Sequence, residues 1–118
     1  MKYLCLVYQE ETSADGLPKC TCDATADEVF DHREELRISG HLIASSSLQS
    51  VRTAATVRVR NGRLSVSNGP FVESKEQLGE FYLIEARDLN DAIRVASRIP
   101  SARTGCIEVR PLRELGPQ

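Results

Sequence analysis

Aromatic side chains make up only 5% of this 118-residue chain. Sheet domains that stack RNA bases do so on aromatics placed along their strands, and that motif is missing. Positive charge is not in excess either: fifteen Lys and Arg face seventeen Asp and Glu, for a net charge of −2. Neither nucleic acid nor an anionic membrane is therefore an expected partner through bulk charge. No apolar run approaches the ~20 residues that span a bilayer. The opening MKYLCLVYQEE lacks the longer apolar core and small-residue cleavage site of a secretory signal, so the expected location is the cytoplasm. A phosphate loop, a dinucleotide fingerprint, G-x-S-x-G and H-E-x-x-H are all absent, and no cofactor is expected. What is present is ordinary: 41% apolar and 27% charged residues, in a length that suits one domain over residues 1–118.

Cysteine is modestly used, at Cys5, Cys20, Cys22 and Cys106. A cytosolic domain of this size builds a core without disulfides. Cys5 and Cys106 fall in apolar, strand-like runs and read as small buried hydrophobes. Cys20 and Cys22 form C-T-C and, with His32 and His41, could be drawn as a zinc set. One intervening residue fits structural zinc spacing badly, so no metal site is expected and the two thiols read as free.

The run KYLCLVY at residues 2–8 reads as a strand buried on both faces, and residues 9–24 read as a long loop. Thr25 and Glu28 form a capping box for a helix running to about Ser39, with Ala26, Val29, Phe30, Leu36 and Gly40 recurring on one side. Residues 41–48 and 53–60 read as strands. Asn61-Gly62 is a strong hairpin signal, because both residues tolerate positive φ, and residues 63–67 return as the partner strand. A structured loop over 71–78 precedes another buried strand at 80–86. Asp88 then caps a helix whose Leu89, Ala92, Ile93, Ala96 and Ile99 recur at helical spacing, with Arg94 and Arg98 on its other face and in its last turn, where cations suit the helix dipole. Pro100 stops it, and residues 106–112 form the last strand.

The order β-α-β, hairpin, β-α-β predicts an α+β, ferredoxin-like two-layer sandwich with an extra hairpin. Two helices cover one sheet face only. The other face keeps apolar residues from 3–7 and 81–84, so a two-fold homodimer packing sheet against sheet is expected.

The stretch SNGPFVESKEQLGEFYLIEARDLNDAIRVASRIPSARTGCIEVRPL, residues 67–112, resembles the C-terminal half of the YCII-related family, in the branch marked by a DGPF motif. Upstream, EELRISGHLIASSSLQSVRTAATVRVRNGRLSV is similar to the same branch. The resemblance implies a dimeric α+β barrel of ferredoxin-like subunits. It implies little about activity, since most of the branch has no assigned reaction. Such members are often encoded beside extracytoplasmic-function sigma factors, which implies a regulatory or interaction module as the alternative to an enzyme. The motif Asp is Asn68 here. If that carboxylate were a general base, this chain would lack it; if it caps a turn, Asn serves equally.

Residues with chemical potential are few. His32 has Glu28 four residues before it and Glu35 three after; both would favour its protonated form and let it shuttle protons near neutrality. Distant members of the family are thought to use a His–Asp pair, but Arg98-Ile99-Pro100-Ser101 stands where the Asp would be. The alternative for His32 is a solvated residue in a surface charge cluster. His41, at a strand end, reads as a structural polar group. Arg33 falls inside the apolar stripe, where it would clamp a carboxylate or phosphate, or else pair with Glu73, Glu80 or Glu85. Asn68, Gly69, Pro70, Phe71 and Lys75 form a loop suited to closing a pocket, or a loop shaped only for its backbone. Together these features predict a small anionic or aromatic metabolite bound between helices and sheet. Proton transfer by His32, with Arg33 or Lys75 holding an oxyanion, would make this a lyase- or isomerase-like step. Ile38, on the polar side of the first helix, would seed any further interaction surface.

Overall fold

The computed structural model describes residues 1–10, 26–72 and 74–113. Thr25 of the expected capping box, Cys20 and Cys22, and Glu73 lie outside the described residues. Strand β1 (Lys2–Glu10) is followed by helix α1 (Ala26–Ile38) and strand β2 (Leu42–Ser47). Strands β3 (Ala55–Arg60) and β4 (Arg63–Asn68) form the hairpin; β5 (Glu76–Glu85), α2 (Leu89–Ala96) and β6 (Cys106–Pro111) complete the chain. The main sheet is antiparallel in the order β2-β5-β1-β6, while β3 and β4 make a separate two-stranded ribbon. The architecture is the expected ferredoxin-like α+β fold with an inserted hairpin.

Side-chain alternation sorts the sheet into two faces. Tyr3, Cys5 and Val7 of β1 and Tyr82 and Ile84 of β5 point to the helices and are almost wholly buried. Their cross-strand neighbours Ile107 and Val109 pack beside them. Leu36, Ala92, Val95, Ala96 and Ile99 close the core from the helix side. Burying each of the large members contributes roughly 1.5–3 kcal/mol. Leu4, Leu6, Phe81 and Leu83 point the other way and stay half-buried, and no element among the described residues covers that face.

β5 begins four residues earlier than the sequence suggests. β1 itself runs on to Glu10, so Glu76, Gln77 and Leu78 find backbone partners in Glu10, Gln9 and Tyr8. One extra residue, Gly79, sits in β5 opposite the Val7–Tyr8 step, a β-bulge. β2 also slips register, between Leu42 and Ala44. Turn geometry follows the sequence: Asn61 and Gly62 both have positive φ, 54° and 76°, as the tight hairpin requires.

Three expectations about the core are corrected. The inward line of α1 is Val29, His32, Arg33 and Leu36, at i, i+3, i+4 and i+7, with His32 and Leu36 buried and the other two half-buried, so Phe30 is turned out and 63% exposed. On α2 the buried set is Asp91, Ala92, Val95 and Ala96, which leaves Leu89 and Ile93 half in water. Cys106 is exposed: it pairs with Tyr8 on the open sheet face, one position out of phase with the half-buried, core-facing Ile107. Cys5 is fully buried, and burial pushes its thiol up to about 11.

Candidate ligand site between the two helices

The centre of the α1 stripe consists of two basic residues, and the protein treats them differently. Arg33 is enclosed by partners. Its Nη2 donates to Glu80 Oε2 at 3.0 Å and to Ser47 Oγ at 3.0 Å, and its Nε reaches the Tyr82 hydroxyl at 3.5 Å. The guanidinium lies 5.3 Å from the centre of the Tyr82 ring. Glu80, itself buried, takes a further hydrogen bond from Ser101 Oγ at 3.0 Å. Of the carboxylates the sequence offered as partners, Glu73 lies outside the described residues, and of the other two Glu80 pairs with Arg33 and Glu85 does not. This cluster ties α1, β2, β5 and the turn at Pro100–Arg103 together.

His32, one residue earlier, has no such set. It is 8% exposed, its ring sits edge-on to Tyr82 at 6.2 Å, and its buried Nε2 has no hydrogen-bond partner among the described residues. An unsatisfied buried nitrogen costs about 1–3 kcal/mol, so it calls for an explanation. Burial lowers the His32 pKa below its ordinary 6.5, outweighing the opposing pull of Glu35 and Glu80; Arg33 and Arg98 lower it further. The expected protonated imidazole is thus corrected to a neutral one at pH 7. Glu28, counted on to charge it, is instead paired with Arg103 at 2.7 Å.

Beside His32 a cavity of about 270 Å³ opens between the helices, lined by Glu35, Ser39, His41, Arg94 and Arg98 as well as by His32 itself. The Arg98 guanidinium makes no hydrogen bond or ion pair among the described residues, although its backbone amide donates to the Val95 carbonyl. Arg94 is bound to the buried Asp91. Asp88 caps α2 by accepting from the Asp91 amide at 2.8 Å, and Asp91 reaches back to accept from the Arg87 amide at 3.0 Å. That amide bond, and then Arg94, hold the Asp91 carboxyl down to about 2. His41 Nδ1 lies 2.8 Å from Ser39 Oγ, and its Nε2 lies 3.8 Å from Asp91. On the other side of His32 a wider cleft of about 450 Å³ is bordered by Asp27, Asp31 and Glu35, with Arg98 at the junction. The site therefore has a cationic wall on α2 and an anionic wall on α1.

The motif loop is not part of this arrangement. Asn68 ends β4 opposite Ala55. Gly69, with φ of 98°, donates its amide to Ala54 and accepts from Thr56 Oγ1 at the hairpin root. Pro70 follows in the same turn. Phe71 lies outside it, 4.7 Å beneath the Arg58 guanidinium, and Lys75 Nζ is 3.7 Å from Glu10. None of these residues lines the cavity beside His32. The cation that does is Arg98. Its four-residue spacing from Arg94 was visible in the sequence, but it reads equally as complementing the helix dipole. Among the described residues no three His, Cys, Asp or Glu side chains gather as a metal would need. No helix among the described residues is long and apolar enough to cross a membrane.

Fold and cavity together define a ferredoxin-like α+β domain with a small-molecule-sized cleft between its helices. The sequence model of the YCII-related domain matches residues 1–116, and the chain belongs to that family. It is similar to an uncharacterized protein of Rhizobium meliloti (strain 1021), 33% identical over 114 residues that span 95% of this chain and 92% of the relative.

Proposed function

We propose that the chain binds a small organic monoanion between α1 and α2, and that neutral His32 exchanges a proton with it in a lyase- or isomerase-like step. The observation that carries this reading is the buried, unpartnered Nε2 of His32 beside the unpaired guanidinium of Arg98. Arg33 is occupied by Glu80, so anion recognition passes to Arg98, with Arg94 behind it. A cavity of about 270 Å³ lies at the small end of the range for ligand sites. Asp27, Asp31 and Glu35 on the facing wall repel a second negative charge, which disfavours nucleotides and polyphosphates. A monocarboxylate, aliphatic or aromatic, fits both conditions. With its pKa below 6.5, His32 is a base at neutral pH rather than a proton donor.

A thermal-shift screen of small monocarboxylates tests the binding, since a ligand that binds only the folded chain raises its melting temperature. Deuterium exchange at the carbon beside the carboxylate tests the proton transfer. We expect Arg98→Glu to abolish the shift and His32→Gln to keep binding while losing exchange. A shift of equal size with Arg98→Glu would overturn the assignment. We also propose that the chain works in the cytoplasm, where Cys5 and Cys106 remain thiols.

The half-buried Leu4, Leu6, Phe81 and Leu83 support a second proposal, that a second copy of the chain covers the open sheet face. Sedimentation of the intact protein tests it: a monomer throughout the accessible concentration range would contradict it.

A further inference from the structure

The cavity beside His32 and the wider cleft beyond it adjoin. His32, Glu35 and Arg98 border both, so volumes of about 270 and 450 Å³ meet across these three residues. A small monocarboxylate held at Arg98 needs only part of that space. The groove as a whole has room for a ligand with a second functional group, placed in the cleft on the far side of His32.

The chemistry of the cleft says what that group is. Asp27, Asp31 and Glu35 stand at i, i+4 and i+8 on α1, so their carboxylates follow one another along one helix face. Like charges at this spacing oppose helix formation, and none of the three carboxylates makes a hydrogen bond or ion pair among the described residues. Glu28, the remaining acid of the cleft, is paired with Arg103. Arg98 borders the same cleft, yet its guanidinium forms an ion pair with none of these acids. Opposite charges are thus held on facing walls without touching. His32 lies between them, and its buried, unpartnered Nε2 is an independent sign that a ligand belongs there.

We propose that the ligand is a zwitterion: a small amino carboxylate whose carboxylate meets Arg98, whose ammonium lies against Asp31 and Glu35, and whose carbon chain passes His32. This rests on the monocarboxylate reading above and adds the cationic end. A dicarboxylate is repelled by the α1 wall, and a diamine by Arg98. A molecule carrying one charge of each sign satisfies both walls, and each wall excludes the wrong partner.

The test is titration calorimetry on the intact protein with matched probes: propanoate against L-alanine and β-alanine, butanoate against 4-aminobutanoate, and butylamine for the cation alone. At least one amino carboxylate should bind about tenfold or more tightly than its plain counterpart, as one added charge-assisted contact provides. Butylamine should bind more weakly than 4-aminobutanoate. Asp31→Asn/Glu35→Gln should erase the difference between matched probes while keeping carboxylate binding. Both side chains are exposed, so the variant should fold, as circular dichroism would confirm. Plain carboxylates that bind as tightly as every amino counterpart would overturn this proposal and leave the monocarboxylate reading standing. Binding by none of the carboxylates would overturn both. A preference for the ammonium that survives Asp31→Asn/Glu35→Gln would overturn the assignment to the α1 wall. Butylamine as tight as 4-aminobutanoate would remove the carboxylate contact, and the zwitterion with it.

Discussion

Arg33 and His32 are neighbours on one helix, under the same sheet and against the same tyrosine, yet their surroundings differ completely. Arg33 has a carboxylate, a serine and a phenol within hydrogen-bond reach, and the carboxylate is anchored in turn by Ser101. His32 has a cavity. A buried charge that finds every partner within its own chain holds elements in place. A buried polar atom left unsatisfied beside an open cleft is what a ligand site looks like before the ligand arrives. The strongly basic residue is thus the structural one, and the weakly basic one faces the space where chemistry can occur.

Substitutions that probe each side should separate these roles. The largest effect is expected from Glu80→Ala, which strips the partner from Arg33. Removing one member of a buried pair costs about 3–5 kcal/mol. Arg33 keeps 24% of its side-chain surface in water, so the expected loss lies at the low end, about 3 kcal/mol by urea unfolding. A loss below about 1 kcal/mol would mean that the cluster behaves as a surface ion pair. On the other side, His32→Leu removes the orphaned nitrogen at similar bulk. It should leave stability at neutral pH unchanged or raise it by up to about 1 kcal/mol, while abolishing proton exchange with a bound acid. A marked loss of stability would assign His32 to the framework instead.

The pH dependence discriminates further. The folded-state pKa of His32 is lowered, so the unfolded chain binds the proton more readily. The stability due to the neutral ring is complete above pH 6.5 and is lost as pH falls from there through the lowered folded value. Wild type should therefore lose stability in that window relative to His32→Leu, and parallel curves would refute the neutral assignment. A second window, at acid pH, belongs to Asp91. Its carboxyl is lowered from 3.8 to about 2, so its contribution is complete above about pH 4 and fades as pH falls through 2. Asp91→Asn should lower stability above about pH 4 and flatten its pH dependence in that acid range, as urea unfolding at a series of pH values would show.

The sequence carried the order of elements and the hairpin because those signals are local: Asn61-Gly62, Asp88, Pro100 and the two apolar runs each act within a few residues. The phase of the helices was less readable. Phe30 looks like a core residue, and only the sheet decides that His32 and Arg33 take the buried line. The pairing of Arg33 with Glu80 joins positions 47 residues apart, and nothing local selects Glu80 over Glu85. The same distance hid the site. His32 was apparent as a candidate, but its charge state was read from Glu28 and Glu35 nearby, whereas burial sets it. Arg98 became part of the site only when α2 was laid beside α1. The motif loop drew attention through its glycine and proline, and both serve the hairpin root.

The single residue by which β5 outruns β1 at Gly79 acts as a phase shifter for everything upstream of it in the strand. With it, Glu80 points inward to hold Arg33 while Leu78 and Glu76 emerge on the opposite side. Were the bulge flattened with that glycine kept in the ladder, simple alternation would swing Leu78 and Glu76 toward the helices. The molecule would then lose its carboxylate edge and carry an unwanted acid inside. The bulge that absorbs this glycine thus lets a single strand keep an interior anchor at one end and an outward-facing acidic border at the other.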